Sequence, residues 1–241
     1  MPALRTGTNA RINLVVAAIV LAGFTELRIA SFGLSEVIIV FLFVGVWWKR
    51  DRFCPKDMAF TQFWFLTLIG NLVGLLINVF LHIDYATIQS GSAQLDMLAY
   101  AYMVVLSIVL ETILLGLSAE EIWTLVKRIF FTAVTVIGIL FVISRFTQTL
   151  LGFSLFYGGM RFSPLAQNPH QINVLTSTLP FVGIRVIKRA QSISSKIAAA
   201  VYVGINVVIS LFTFSDTMIV VYLVCFYLIG LIYQDYRHQR K

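Results

Sequence analysis

The sequence predicts an all-α, polytopic membrane protein of about eight transmembrane helices, with both termini in the cytoplasm. Hydrophobic residues make up 59% of the 241 residues and charged residues only 12%, about half of the roughly 25% that is usual in soluble domains. Apolar runs long enough to cross a bilayer recur along the whole chain. Basic residues cluster between alternate runs, which is typical of cytoplasmic loops.

Eight apolar runs meet or approach the requirement of about 20 residues for a spanning helix. They cover residues 12–30, 34–48, 60–81, 96–115, 129–145, 171–187, 197–213 and 216–233. No polar stretch is long enough to coat a soluble domain, so we expect residues 1–241 to form a single transmembrane domain. Ser118 and Glu121 form a capping-box pattern, which predicts a short interfacial helix over residues 118–128 that leads into the fifth span.

The distribution of Lys and Arg predicts the orientation. With these spans, most of the 18 basic residues fall on one side of the membrane. The exceptions are Arg28, Arg145 and Arg161, which fall on the other side. Because loops rich in Lys and Arg stay in the cytoplasm, the long connection 146–170 is expected on the outer face. The net charge of +7 is then explained without nucleic acid. Cys54 and Cys225 lack metal-ligand spacing, and we expect no disulfide between them.

Polar residues inside the predicted spans are costly in lipid and therefore informative. Glu111 is the one ionisable residue well inside a span, and it serves either as a proton relay or as a bond to a neighbouring helix. The absence of a second such group in other spans favours the structural role. Asn71, Asn78 and Asn206 predict helix-packing seams. Pro180 predicts a kink in the sixth span, with nearby hydroxyl groups satisfying the freed backbone.

The outer loop carries the strongest indication of a ligand site. Asn168 suits the N-cap and Pro169 the first helical position, so the sixth span begins there with free N–H groups and a partial positive charge. Together with the fixed charge of Arg161, this end could bind a phosphate or diphosphate. The alternative is an ordinary cap beside a solvated cation. Asp216 either caps the eighth span or faces the same site as a base or substrate ligand.

Several short motifs resemble the signature of O-antigen ligases and of O-antigen or exopolysaccharide polymerases. They are Arg161, the triplet Asn168-Pro169-His170, Leu179-Pro180, the turn Thr213–Asp216, and Leu34–Glu36 at the start of the second span. His170 stands where a second Asn is usual in that family, and Asp216 stands where Arg is common. Members of the family are considerably longer, so we expect this chain to correspond to their N-terminal part.

The resemblance implies a metal-independent glycosyltransferase without a cofactor, embedded in the bacterial inner membrane as a multi-pass protein. Its donor would be an oligosaccharide on undecaprenyl diphosphate, and its product would belong to exopolysaccharide or lipopolysaccharide biosynthesis. Membrane lipids and other polysaccharide-assembly proteins would be its partners. The candidate catalytic residues are Arg161, His170 and Asp216, and the candidate substrate-binding residues are Arg145, Gln167, Asn168 and Gln171. A flippase or transporter of lipid-linked sugars and a non-catalytic membrane fragment are the alternatives.

Overall fold

The computed structural model is mostly helical, in agreement with the predicted all-α class. It describes residues 2–29, 32–48, 58–80, 90–166 and 169–213, together with residues 220, 222, 223 and 227. The helices of these ranges are α1 (Pro2–Leu21), α2 (Leu34–Trp48), α3 (Ala59–Phe80), α4 (Ser90–Leu115), α5 (Ala119–Ile143), α6 (Pro169–Arg189) and α7 (Ile193–Leu211).

Short antiparallel hairpins occupy two of the connections between helices. One of them follows α1, and the other two lie in the predicted outer loop after α5. The paired strands are β1 (Arg28–Ile29) with β2 (Phe32–Gly33), β3 (Thr149–Leu150) with β4 (Phe153–Ser154), and β5 (Phe156–Tyr157) with β6 (Arg161–Phe162). The predicted loop 146–170 is therefore an ordered structure over its described residues.

Four helices of the described part are long and apolar enough to cross a membrane, judged by length and composition. The candidate spans are Ala59–Ile77, Met97–Leu115, Ala119–Ile143 and Ile193–Leu211. Shorter apolar helices cover Asn9–Leu21 and Leu34–Trp48. This supports a membrane protein, whereas the number of eight spans and the cytoplasmic termini stay predictions. The predicted eighth span lies largely outside the described residues.

The prediction that the first span runs from residue 12 to residue 30 is wrong in its second half. Helix α1 ends at Leu21, and the chain then turns into the β1–β2 hairpin. The backbone N–H of Glu26 donates to the carbonyl oxygen of Leu165 (2.9 Å), a contact that a helical residue could not make. Glu26 thus forms a tertiary hydrogen bond in place of a helical one. It lies in a segment that also contains Arg28, and such charged residues disfavour a lipid environment.

The predicted separate interfacial helix over residues 118–128 is also wrong, because α5 is continuous from Ala119 to Ile143. Its predicted start is confirmed. The Glu121 carboxylate accepts the N–H of Ser118 (2.9 Å), and the Ser118 hydroxyl oxygen accepts the N–H of Glu121 (3.3 Å). The capping box therefore begins the long helix itself, since no helix-breaking residue separates residues 118–128 from the apolar run that follows.

The chain forms two compact units, one of Met1–Val15 and Val37–Ile122 and one of Val16–Glu36 and Trp123–Lys241. In the first unit α3 and α4 pack together. The Glu111 carboxylate of α4 accepts hydrogen bonds from the N–H groups of Phe60 (2.8 Å) and Thr61 (2.9 Å), in the first turn of α3. A carboxylate is favoured at a helix N-terminus, so the structural role predicted for Glu111 is confirmed.

The second unit is held together where α5, α6 and α7 approach closely. Gly183 of α6 is buried, and a Cβ atom at this position would overlap the Val203 side chain of α7 and lie 2.8 Å from the Phe130 ring of α5. Only a residue without a side chain allows this approach. Gly183 therefore determines how closely α6 can pack against the other two helices.

Pro180 interrupts the backbone bonding of α6, as its sequence position predicts. Because proline has no N–H group, the carbonyl oxygen of Thr176 loses its partner four residues later. The buried amide of Asn206 in α7 donates to this oxygen (2.7 Å), and the hydroxyl of Tyr222 does so at 3.3 Å. The packing role predicted for Asn206 is confirmed. The groups that satisfy Thr176 come from outside α6 and not from its own hydroxyls.

Candidate functional site

The second unit has two ends that differ in chemistry. Helices α6 and α7 are joined by only three residues and pack against each other, so they run antiparallel. We call the end where α5 and α7 terminate and β3–β6 lie the strand end. We call the opposite end, where α6 terminates and α7 begins, the basic end, because it carries Lys127, Lys188, Arg189 and Lys196.

The strand end is tied to the helices by backbone hydrogen bonds. The N–H of Phe162 in β6 donates to the carbonyl oxygen of Phe212 at the end of α7 (2.9 Å). The N–H of Ser163 donates to the carbonyl oxygen of Leu155 (3.1 Å), and all the side chains of Leu155, Phe162 and Ser163 are buried. The loop is thus a fixed platform and can position functional groups reproducibly.

An aromatic cluster of Phe141, Phe162 and Phe212 lies under this platform. The ring centroid of Phe141 is 5.2 Å from that of Phe162 and 5.0 Å from that of Phe212. The guanidinium carbon of Arg145 lies 4.3 Å from the Phe141 centroid and 4.7 Å from the Phe212 centroid. Contacts of this kind between a cation and aromatic faces are attractive, so Arg145 is held in place although its side chain is exposed.

An apolar groove of about 620 Å³ runs from the aromatic cluster along α5 and α7. Among its lining residues are Ile139, Phe141, Ile143, Ile205, Val208 and Ile209. Two polar side chains also line it, Thr135 and Tyr202, and their hydroxyl groups bond to each other (3.1 Å). The groove therefore offers an apolar surface that includes Phe141, the ring against which Arg145 lies.

Arg161 belongs to the β5–β6 hairpin, where it pairs with Tyr157. Gly158 and Gly159 form the turn with φ angles of 59° and 74°, which glycine adopts without strain. Neighbouring residues of a strand point to opposite faces. Phe162 is buried in the aromatic cluster, and Arg161 is exposed. Arg145 and Arg161 are therefore attached to the same cluster, one through its rings and the other through the backbone of β6.

Buried polar atoms without partners mark a second feature, which sequence reasoning missed. Neither side-chain amide atom of Asn173 in α6 has a hydrogen-bond partner among the described residues, although this side chain is 5% exposed. The same is true of one buried carboxylate oxygen of Glu26 and of the amide oxygen of Asn206. Such atoms cost about 1–3 kcal/mol each, unless water or a ligand bonds to them.

The sequence shows that these residues are polar, but it did not predict that their side chains would be buried without hydrogen-bond partners. Asn173 is a polar residue within an apolar helix, a few positions after the predicted helix start. Glu26 is a charged residue near the end of the predicted first span. Neither sequence position predicts whether the side chain has a hydrogen-bond partner, because that depends on the packing of segments that are distant in the chain.

The structure describes the predicted site in part. Helix α6 begins at Pro169, which confirms the predicted helix start. His170 and Gln171 lie in its first turn, and their side chains are outside the described part of the chain. Gln167, Asn168 and Asp216 also lie outside the described residues. The diphosphate site between Arg161 and the start of α6 therefore stays a prediction.

The described residues contain no group of three or more His, Cys, Asp or Glu side chains that could hold a metal ion. Among comparisons with known proteins, no family model, no curated protein and no solved structure matches this chain. The resemblance to polysaccharide polymerases and ligases accordingly rests on the short motifs alone.

Proposed function

We propose that the strand end binds an amphiphile with an anionic headgroup and a long apolar tail, and that the chain acts in glycosyl transfer on oligosaccharides linked to undecaprenyl diphosphate. The supporting observation is that Arg145 lies against the rings of Phe141 and Phe212, and that Phe141 also lines an apolar groove. The enzymatic part of the proposal, a polymerase or ligase of the bacterial inner membrane, draws on the resemblance of the sequence motifs.

The shape of the groove suits the tail of such a ligand. It follows α5 from Val134 to Ile143, which corresponds to about 14 Å at the helical rise per residue. Its wall is almost entirely apolar, and the two hydroxyl groups within it satisfy each other. A polyprenyl chain could lie there without leaving a polar group unpaired.

Arg145 suits the headgroup. Its guanidinium group lies against the rings of Phe141 and Phe212. Its N–H groups donate to no described residue, and the side chain is exposed. A guanidinium group binds phosphate oxygens through two parallel hydrogen bonds. In the proposed reaction, an acceptor hydroxyl attacks the anomeric carbon, the bond from that carbon to the diphosphate breaks, and Arg145 stabilises the charge that develops on the leaving group.

The remaining roles follow the same proposal. Arg161 would hold the second phosphate of the donor, and Gln167, Asn168 and Gln171 would orient it at the start of α6. The base that accepts the proton of the attacking hydroxyl would be Asp216 or His170. A transporter finds less support, because Glu111 is engaged in capping α3.

Ligand binding provides the first test. The chain in nanodiscs would be titrated with a fluorescent polyprenyl diphosphate. We expect Arg145→Ala to weaken binding about 10- to 100-fold, as for the loss of hydrogen bonds to a charged group. Arg145→Lys should be intermediate, because lysine keeps the charge but not the planar fork. Arg185→Ala, an exposed arginine of α6 in its last turns, is the matched control.

Polymer synthesis provides the second test. A strain that lacks the gene would be complemented with the wild type, Arg145→Ala or Arg161→Ala, and the length and amount of surface polysaccharide would be measured. Normal polymer from both variants would contradict the glycosyl-transfer role, whatever the binding result. Equal polyprenyl diphosphate affinity of wild type and Arg145→Ala would contradict the ligand assignment itself.

A further inference from the structure

A second cavity, of about 690 Å³, lies at the basic end of the second unit. It is formed by the first part of α5, the last turn of α6 and the first turn of α7. The lining residues that matter for its chemistry are Trp123, Lys127, Arg189, Gln191, Ser192 and Ser195. Cations, hydroxyl groups and an amide thus meet in one concavity, in contrast to the apolar groove at the strand end.

The two cations of this cavity are Lys127 of α5 and Arg189 of α6. The guanidinium carbon of Arg189 lies 4.8 Å from the centroid of the Trp123 ring, which fixes the group through a cation–π contact. Neither Arg189 nor Lys127 forms an ion pair with any carboxylate of the described residues. Two positive charges brought into one cavity repel each other, and an anion bound between them would relieve that repulsion.

Hydroxyl groups complete the polar lining. Ser192 is the N-cap of α7, and its hydroxyl oxygen accepts the N–H of Ser195 (3.2 Å). The Ser192 and Ser195 hydroxyls also bond to each other (2.7 Å). Hydroxyl groups can rotate to donate to a phosphate oxygen, so they add directional contacts to the charge of Lys127 and Arg189.

The surroundings of the cavity indicate where the anion comes from. Phe131 of α5 and Ala198 of α7 also line the cavity. Both side chains are apolar, so part of the cavity wall is apolar as well. Helix α7 is a candidate membrane span. A ligand that places its charge in the cavity therefore has an apolar surface next to it for acyl chains.

We propose that this cavity binds the phosphate headgroup of an anionic phospholipid, with the acyl chains leaving the cavity past Phe131 and Ala198. Arg189 presents the N–H groups at the edge of its guanidinium to the phosphodiester, and Lys127 supplies a second charge. Trp123 is a residue type favoured at the membrane interface. The lipid would act as a structural ligand that holds the start of α7 against α5, and this role is independent of glycosyl transfer.

The test uses the purified full chain in detergent, delipidated and titrated with short-chain phosphatidylglycerol while bound lipids are counted by native mass spectrometry. The double variant Lys127→Gln/Arg189→Gln should bind about tenfold more weakly or worse, as for the loss of contacts with a charged group. The matched control Lys188→Gln/Lys196→Gln removes the same charge from exposed residues that do not line the cavity, and it should bind like the wild type.

Further titrations distinguish an anionic phospholipid from a neutral phospholipid and from a free phosphate ion. Phosphatidylcholine should bind at least tenfold more weakly than phosphatidylglycerol, and inorganic phosphate should not compete at millimolar concentration. Equal affinity of the double variant and its control for phosphatidylglycerol would overturn the proposal. Tight binding of inorganic phosphate alone would overturn the lipid assignment. If the double variant does not fold, Arg189→Lys serves in its place, with an expected loss of about threefold because the charge is kept.

Discussion

At both ends of the second unit an arginine lies against aromatic rings, but the surfaces beside the two arginines differ. At the strand end, Arg145 is stacked on Phe141 and Phe212 and adjoins an apolar groove. At the basic end, Arg189 is stacked on Trp123 and adjoins a cavity lined with hydroxyl groups. In both places an exposed arginine lies against an aromatic ring. The two places therefore differ in the surface beside the arginine and not in how the arginine is held.

The two ends are far enough apart to be tested separately. Lys127 and Phe141 lie on the same helix and are separated by about 21 Å at the helical rise per residue. Substitutions that are more than about 7–10 Å apart and share no partner usually act independently. One substitution in the shared helices should therefore disturb both ends, whereas a substitution at either end should affect that end alone.

The largest effect is expected from Gly183→Val, which should disturb both ends at once. The new side chain would overlap Val203 and press on the Phe130 ring, so the three helices must separate. We expect a loss of stability at the upper end of the about 1–3 kcal/mol typical of overpacking, measured by thermal unfolding in detergent.

The control for this prediction is Gly204→Ala, because a Cβ at that position would have no described atom within 4 Å apart from its own stretch of helix. It should leave stability unchanged, or raise it by up to about 1 kcal/mol through better helix propensity. A Gly183→Val variant as stable as Gly204→Ala would show that α6 does not pack as closely as described.

A smaller effect, limited to the strand end, is expected from Asn206→Leu. The carbonyl oxygen of Thr176 would lose its shortest hydrogen bond, at a cost of about 1–2 kcal/mol. Polyprenyl diphosphate binding should weaken in parallel, because Ile205 and Ile209 on the same helix line the groove. Phosphatidylglycerol binding at the basic end should not change.

Pro180→Ala gives this prediction its internal control. Alanine restores an N–H group that can bond to Thr176, so Asn206→Leu should cost at least about 1 kcal/mol less in the Pro180→Ala background. Thermal unfolding of the four variants of this cycle measures the difference. Strictly additive costs would show that Asn206 contributes by packing and not by its bond to Thr176.

The smallest effect is expected when a substitution at one end of the second unit is tested for its influence on ligand binding at the other end. Arg145→Ala should change the affinity for phosphatidylglycerol by less than about twofold. The double variant Lys127→Gln/Arg189→Gln should likewise change the affinity for polyprenyl diphosphate by less than about twofold. Both expectations follow from the additivity of distant sites. The two titrations described above measure both. A change above tenfold in either cross experiment would mean that the two ends hold one ligand or switch together.

Particular residues show how far sequence reasoning reached into the fold. The start of α2 at Leu34, the start of α6 at Pro169, and the capping box of Ser118 with Glu121 were predicted and are confirmed. These features depend on hydrogen bonds between residues a few positions apart, which the order of residues already specifies. The end of α1 was missed because it depends on a bond from Glu26 to Leu165, far away in sequence.

The candidate site shows the same division. Arg145 was predicted as a substrate ligand, but nothing in its neighbourhood of the sequence indicates that Phe212, 67 positions later, completes its aromatic support. Asn173 was missed because a lone polar residue in a helix is usually bonded, and only packing leaves it without a partner. The basic cavity was missed because its cations lie on different helices, among residues that the charge bias had already explained.

The amino-acid sequence alone was enough to predict that the chain is helical and suited to a membrane, where α2, α5 and α6 begin, and which residues carry charge or break a helix. These properties follow from local hydrogen bonding and from the cost of placing polar groups in lipid. Only the tertiary structure decided which arginines rest on rings, which carbonyl oxygen Asn206 satisfies, and where apolar or polar surface lies beside a fixed cation. Those outcomes depend on distances between helices, which are set by packing across segments that are remote in the chain.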